Sequence, residues 1–497
     1  MVRVREDHVR VAIIGTGFAG LGMAAQLVRN GIDDFLVVER GSEVGGTWRD
    51  NSYPGAACDI RSDLYSFSFA PNPNWGYRYS RQPEILDYLR GVADRFELRS
   101  RILFETEFLR GEWDDSAGLW RLQTSRGDFT ATVLVSGHGP LIEPKWPAIA
   151  GLESFTGPRF HSAQWRHDVE LVGARVAVIG TGASAIQFVP ELQKIVGELT
   201  VFQRTAPWIV PRADRRTSGL RKRLFARVPA LQRFSRRWVF TVAEARFAGF
   251  RFRRIGRLFE SVSLRFLARQ VKDPALRAKL TPEFRIGCKR ILISSDYYPA
   301  LMAPNVELVT ESIVAVDGAA MVTADGTRRE FDVLIGGTGF DATHPPVARL
   351  LYGRAGVSLS DRWSSHMEAL RGTTVRDFPN LFLLVGPNTA LGHNSIVYMI
   401  EAQVDYVLQA LRAMEHRGAR AIEPRPAAQS AYNARIQSEL AGTVWSAGGC
   451  TSFYLDDSGR NTTLWPHRAA KFRSAVRRFD ETEYEYEYEY EAVAPSV

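Results

Sequence analysis

The sequence predicts an α/β protein with two Rossmann-like dinucleotide-binding domains, the second carrying a helical insert. Three observations predict it. A GxGxxG motif at Gly15, Gly17 and Gly20 directly follows an apolar, β-branched run. A GxGxxA motif at Gly180, Gly182 and Ala185 follows a second such run. After it comes a stretch, 212–280, with 20 Lys and Arg against 4 Asp and Glu, in which aromatics and leucines recur at helical spacings of three and four.

In the first unit, Val9 to Ile14 reads as a buried parallel strand. Gly15-Thr16-Gly17-Phe18-Ala19-Gly20 follows at once. A helical pattern then runs from about Phe18 to Asn30, and Phe35 to Glu39 is the next strand. The first glycine permits a tight turn and the second lets backbone approach a pyrophosphate. The third lets helix and strand pack closely, with the helix N-terminus facing the phosphates. Glu39, 24 residues after Gly15, stands where an acid bonds the hydroxyls of an adenosine ribose. An acid there repels a 2′-phosphate, so this unit suits FAD.

In the second unit, Arg175 to Ile179 is the strand and Gly180-Thr181-Gly182-Ala183-Ser184-Ala185 the turn. A helix follows to about Lys194, then a strand from Leu199 to Gln203. The residue 24 after Gly180 is Arg204, followed by Thr205. An arginine pairs with a 2′-phosphate, so this unit suits NADPH rather than NADH.

Later strands return to these units. Ala131 to Ser136 ends at Gly137-His138-Gly139, and Phe331 to Ile335 ends at Gly336-Gly337-Thr338-Gly339. Glycines at strand ends let backbone lie against a cofactor. Leu381 to Val385 leads through Gly386-Pro387-Asn388 to a helix near Asn394, whose amides would face a flavin edge. The expected FAD-binding domain is 1–145 with 379–480. The expected NADPH-binding domain is 146–210 with 291–378. The basic helical insert is 211–290 and a low-complexity tail is 481–497.

A content of 45% hydrophobic and 24% charged residues excludes a fibrous protein, and disorder over most of the length. The net charge of +8 admits nucleic acid, a membrane surface or a small anion as partner. The excess is local, however: outside 212–280 the chain has 43 basic and 51 acidic residues. No apolar run approaches the roughly 18 residues of a membrane-spanning helix, and the charged N-terminus is not a signal peptide. Cys58, Cys288 and Cys450 lie far apart, without metal-site spacing and odd in number. A disulfide framework is therefore not expected, and a reducing cytoplasm is. No metal site is expected.

Phe155, Gly157, His161 and Trp165 form FxGxxxHxxxW, with Trp165 15 residues before Gly180. Flanked by the two glycine motifs, this resembles the fingerprint of the flavin-dependent Baeyer–Villiger monooxygenases, a class B flavoprotein monooxygenase family. The likeness runs from about Val9 to Arg468. Gly45-Gly46-Thr47-Trp48 resembles the family's flavin-contacting loop. The segment from Tyr53 to Asp59, with Tyr65, resembles the one beside the isoalloxazine ring. Gly287-Cys288-Lys289-Arg290 before Asp296-Tyr297-Tyr298 resembles the segment of the active-site arginine.

The resemblance implies FAD and NADPH as cofactors. On the flavin side it implies Gly15, Gly17, Phe18, Gly20, Glu39, Gly45, Gly46, Thr47, Trp48, Asp59 and Tyr65. On the NADPH side it implies Gly180, Thr181, Gly182, Ser184 and Ala185, with Arg204, Thr205 and Lys289 on the 2′-phosphate and Trp445 as a nicotinamide-side contact. Arg290 is the implied catalytic arginine and Asp59 its partner. His161 is read as tuning domain motion and NADPH handling, and Cys58 and Cys288 as small packing groups.

The implied activity uses NADPH and O2 to form a flavin peroxide, which inserts one oxygen next to a ketone carbonyl to give an ester or lactone. An arginine suits it, because it stays charged and stabilises a developing oxyanion. A carboxylate beside it holds it in place. The alternatives are oxygenation of a sulfide or amine by the same chemistry, and a non-catalytic, membrane-associated nucleotide-binding protein.

The 212–280 stretch reads as two or three amphipathic helices. It is either a solvated basic face over a packed stripe or a peripheral membrane contact through which an apolar substrate arrives. No nucleic-acid module is present, so nucleic acid is not an expected partner. The expected partners are a small ketone or sulfide and O2, and the expected location is the cytoplasm, peripheral to the membrane if the insert meets lipid. The tail alternates acid and Tyr from Glu481 and reads as an edge strand or a loose tail.

Overall fold

The computed structural model describes residues 8–488. The first apolar run folds as strand His8–Ile14, inside an eight-stranded sheet. It pairs in parallel with Phe35–Val38 on one side and Phe129–Ser136 on the other. Val11, Ala12, Ile13 and Ile14 are all buried, on both faces, which is why the second half of this strand is apolar instead of alternating. Phe129–Ser136 pairs antiparallel with Leu119–Thr124 and in parallel with Leu381–Leu383. The late strand thus returns to the first sheet.

The second sheet has five parallel strands, in the order Val306–Val309, Glu198–Phe202, Arg175–Ile179, Val333–Gly336 and Arg159–His161. His161 of the FxGxxxHxxxW motif therefore ends an edge strand of the second sheet.

One return comes earlier than expected. Leu351–Tyr352 pairs with Phe108–Asp114 in the first sheet, within the segment 291–378 assigned to the other domain. Burial explains it: Val347, Leu351, Leu359 and Phe378 share a core with Phe108, Trp113 and Trp120. A strand of two residues has no period to read in the sequence.

The insert forms four helices rather than two or three: Gly219–Arg227, Pro229–Arg251, Arg253–Gln270 and Pro274–Lys279. Prolines open two of them, and Asp273 caps the last by accepting from the amides of Ala275 and Leu276. At the base of the insert, Ile209–Val210 pairs in parallel with Leu292–Ile293. In the tail, Tyr484–Glu487 is an edge strand antiparallel to Ala421–Pro424. Residues 489–497 of the tail lie outside the described residues. Among those described, no helix is long and apolar enough to cross a membrane, and no cluster of His, Cys, Asp or Glu could hold a metal ion.

Candidate active site and cofactor cradles

The first glycine turn needs its glycines. Gly15 has φ of +88°, and a side chain on Gly20 would run into the carbonyl of Gly15. A Cβ on Gly46 would lie 2.9 Å from Cα of Gly17, so the 45–48 loop and the glycine turn meet backbone to backbone. The amide of Gly45 donates to the carbonyl of Thr16 at 3.0 Å. Helix Phe18–Arg29 starts at Gly17 without a side-chain cap and without an acid in its first turn, which leaves its first amides to an anion. Thr47 begins a short helix, Thr47–Asp50, and Trp48 donates to the Tyr65 hydroxyl at 3.0 Å. Tyr65 meets Phe18 edge-on, 5.0 Å between ring centres. The residues expected on the flavin side at 15–20, 45–48 and 65 are thus brought together.

Glu39 is 4% exposed, and both its oxygens are engaged. Oε2 accepts from the amide and hydroxyl of Thr16, and Oε1 from the amide of Gly41 and from Arg49 at 2.7 Å. A ribose at Glu39 would share it with Arg49, a partner the sequence did not reveal. Gly137 and Gly337 have a further role. Their carbonyls lie against the turns at Gly15 and Gly180 and so help to require glycine there.

The second cradle repeats the first. Gly180 has φ of +105°, and Thr181 donates to the carbonyl of Thr205 at 3.3 Å. Helix Ala185–Leu192 starts at Ser184 without a side-chain cap. Arg204 is exposed and Lys289 half-buried. Burial, and then the charge of Arg204, pulls the Lys289 ammonium below its ordinary value. Among the described residues neither has an ion-pair partner. Two neighbouring cations without a carboxylate suit a phosphate.

The pairing of Leu292–Ile293 with Ile209–Val210 positions Arg290. Asp59 follows Cys58, whose amide donates to the carbonyl of Ser80 at 2.9 Å. Arg290 Nε and Nη2 both donate to Oδ2 of Asp59, at 2.8 and 2.5 Å. The Asp59 charge raises the Arg290 guanidinium above its ordinary value, against the opposing effect of burial. Both side chains keep about a third of their surface open, 32% and 27%.

One residue here, Gln187, escaped the sequence. Gln187 clamps the 53–58 loop to the second glycine helix: its Nε2 donates to the carbonyl of Ala57 at 3.0 Å, and its Oε1 accepts from the amide of Ala57 and from Tyr53. Tyr454 is buried beside Arg290; burial raises its phenol and the Arg290 charge opposes the rise. Trp445 lies in an aromatic cluster, 5.3 Å from Phe250 and 6.4 Å from Phe247. It is 1% exposed, and its indole N–H lacks a partner among the described residues.

The cysteine expectation is overturned. Cys288 and Cys450 form a disulfide, and only Cys58 is a free, buried thiol. A separation of 162 residues hid the pair, whose Cα atoms the fold brings to 6.2 Å. The argument from cysteine count to a reducing compartment falls with it. His161 is 1% exposed and accepts from the amide of Ala163 at 3.1 Å. Burial pushes its pKa down to about 4, so the ring is neutral near pH 7.

The chain matches the family of pyridine nucleotide-disulphide oxidoreductases over residues 12–232. It is 51% identical over 481 residues to a Baeyer-Villiger monooxygenase of Streptomyces coelicolor, covering 96% of this chain and 92% of that protein. The structure of cyclohexanone monooxygenase from Rhodococcus sp. Phi1 bound to NADP+ matches with a TM-score of 0.88 at 28% identity, covering 97% of this chain and 100% of that one. The structure of the OTEMO complex with FAD and NADP matches with a TM-score of 0.86 at 25% identity, covering 96% and 99%.

Proposed function

This chain belongs to the Baeyer–Villiger monooxygenase family, and on that premise we propose that Arg290 and Asp59 carry its chemistry. It is an FAD- and NADPH-dependent monooxygenase that inserts one oxygen atom of O2 next to a ketone carbonyl, giving an ester or lactone.

The residues fit both cofactors. The Gly17–Gly46 approach and the uncapped helix at Phe18 suit the FAD pyrophosphate, and Arg204, Thr205 and Lys289 suit the 2′-phosphate of NADPH. Bound FAD, reduced by NADPH, supplies the activation of O2.

The Arg290–Asp59 bond carries the reading of the site. Asp59 occupies Nε and one terminal nitrogen of Arg290 and so fixes the plane of the guanidinium. The other terminal nitrogen remains to donate to an anionic oxygen at the reacting centre. Because Asp59 holds the charge on Arg290, Arg290 does not give a proton to that oxygen. Tyr454, buried beside Arg290, keeps water from that part of the guanidinium. A panel of cyclic, linear and aryl ketones with aryl sulfides tests the reading, with products and NADPH consumption measured together. Esters or lactones formed at the cost of NADPH are expected; sulfoxides alone would overturn the ketone reading.

We also infer that the insert contacts a membrane peripherally. Leu231, Phe234, Trp238 and Val242 support this: they recur at helical spacing on Pro229–Arg251, with Phe234 69% and Trp238 59% exposed. The four acids of 212–280 are engaged elsewhere. Asp214 pairs with Arg81 and Arg212, Glu244 bonds Asn394, Glu260 accepts from the amide of Ile286, and Asp273 caps a helix. Sedimentation with anionic and neutral vesicles tests this reading, and absence of salt-sensitive binding to the anionic ones removes it.

A further inference from the structure

Beyond Asp59 along the chain, a cavity of about 280 Å³ lies between residues 61–78 and the start of the insert. Five arginines line it: Arg61, Arg78, Arg215, Arg216 and Arg221. The only carboxylate among its lining residues is Asp63, and it is committed. Its Oδ1 accepts from Arg221 at 2.7 Å and its Oδ2 from Arg61 at 3.3 Å. Arg78 donates to the carbonyl of Ala213 at 3.1 Å and Arg216 to the Tyr77 hydroxyl at 3.2 Å, so neither meets a negative charge.

The cavity has more donors than acceptors. Nε of Arg61 is buried without a hydrogen-bond partner among the described residues. So is the indole N–H of Trp75, which also lines the cavity and is 5% exposed. A buried donor left unpaired is costly. The crowding is felt at Arg78, whose guanidinium is held below its ordinary value by burial first, then by the charges of Arg215, Arg61 and Arg221. An anion with several oxygens would satisfy the donors and relieve the repulsion together. One carboxylate matches a single guanidinium fork, whereas a phosphate presents three oxygens to several.

We infer that this cavity is an anion site for a phosphate-bearing ligand, distinct from the coenzyme grip at Arg204 and Lys289. Its lining comes from the FAD-side loop at 61–78 and from the first residues of the insert, so a bound phosphate ties the insert to the loop that follows Asp59. The phosphate can belong to a soluble ester or to a lipid headgroup. The inference does not depend on the membrane reading.

The test uses the FAD-loaded protein, with flavin content and NADPH oxidation confirming that each variant is folded. Pyrophosphate is titrated by calorimetry into wild type, Arg78→Gln and Arg215→Gln, with and without saturating NADP+. Saturable binding to wild type, weakened about tenfold or more in each variant and unaffected by NADP+, is the expected result. Sedimentation with phosphatidylglycerol vesicles identifies the source. A parallel loss in both variants identifies a headgroup, and unchanged sedimentation a soluble phosphate. No binding by wild type, equal binding by both variants, or displacement by NADP+ overturns the inference.

Discussion

Cys288 is covalently bonded to Cys450, although 162 residues separate them. The bond joins the segment of Lys289 and Arg290 to the segment that leads to Tyr454. The backbone reinforces it, since the amide of Arg285 donates to the carbonyl of Gly448 at 3.1 Å. The arginine and the phenol that faces it are therefore stapled to one another through their own chain segments.

Cys450→Ser should lower unfolding stability by roughly 2–4 kcal/mol, because the staple restricts the unfolded chain. Urea unfolding of the FAD-loaded protein measures this. A dithiol should reproduce the loss in wild type and leave the variant unchanged. Identical curves for wild type with and without dithiol would show that the bond contributes nothing.

Arg290→Ala should leave flavin reduction by NADPH intact and lower ester formation by about 10²–10³-fold. Stopped-flow absorbance and product analysis separate the two steps. Arg290→Lys should not rescue it, since an ammonium cannot bond Asp59 through two nitrogens and still donate in the same plane. Ketone oxidation at wild-type rate in Arg290→Ala would refute the assigned role.

Arg204→Ala and Lys289→Ala should each raise KM for NADPH by about 10–100-fold and change KM for NADH little, because only NADPH carries the 2′-phosphate. Equal effects on both coenzymes would place these cations elsewhere than on that phosphate.

His161 supplies a pH prediction. Its folded pKa, down to about 4, lies below the unfolded value of about 6.5. Between those values the unfolded chain binds a proton that the folded one does not, so this group costs stability as the pH falls from 6.5 toward 4. The difference integrates to about 3 kcal/mol. His161→Asn, which keeps an acceptor for the amide of Ala163, should lose less stability over that window than wild type in urea unfolding. Equal slopes would mean that His161 titrates normally in the folded state.

The sequence by itself determined the two glycine turns. Their demands are local: a positive φ at Gly15 and Gly180, and no side chain at Gly20, follow from a few residues of strand, turn and helix. It also determined the separation of charge, since a run of cations with few acids is visible without coordinates. The pairing of Arg290 with Asp59 came only through family resemblance, because 231 residues separate them. Only the tertiary structure decided the clamp of Gln187 on Ala57, the bond between Cys288 and Cys450 and the arginine-lined cavity, whose partners stand far apart in sequence. Such contacts depend on how whole sheets and helices pack once their connecting loops have closed, and no local period in the sequence encodes that.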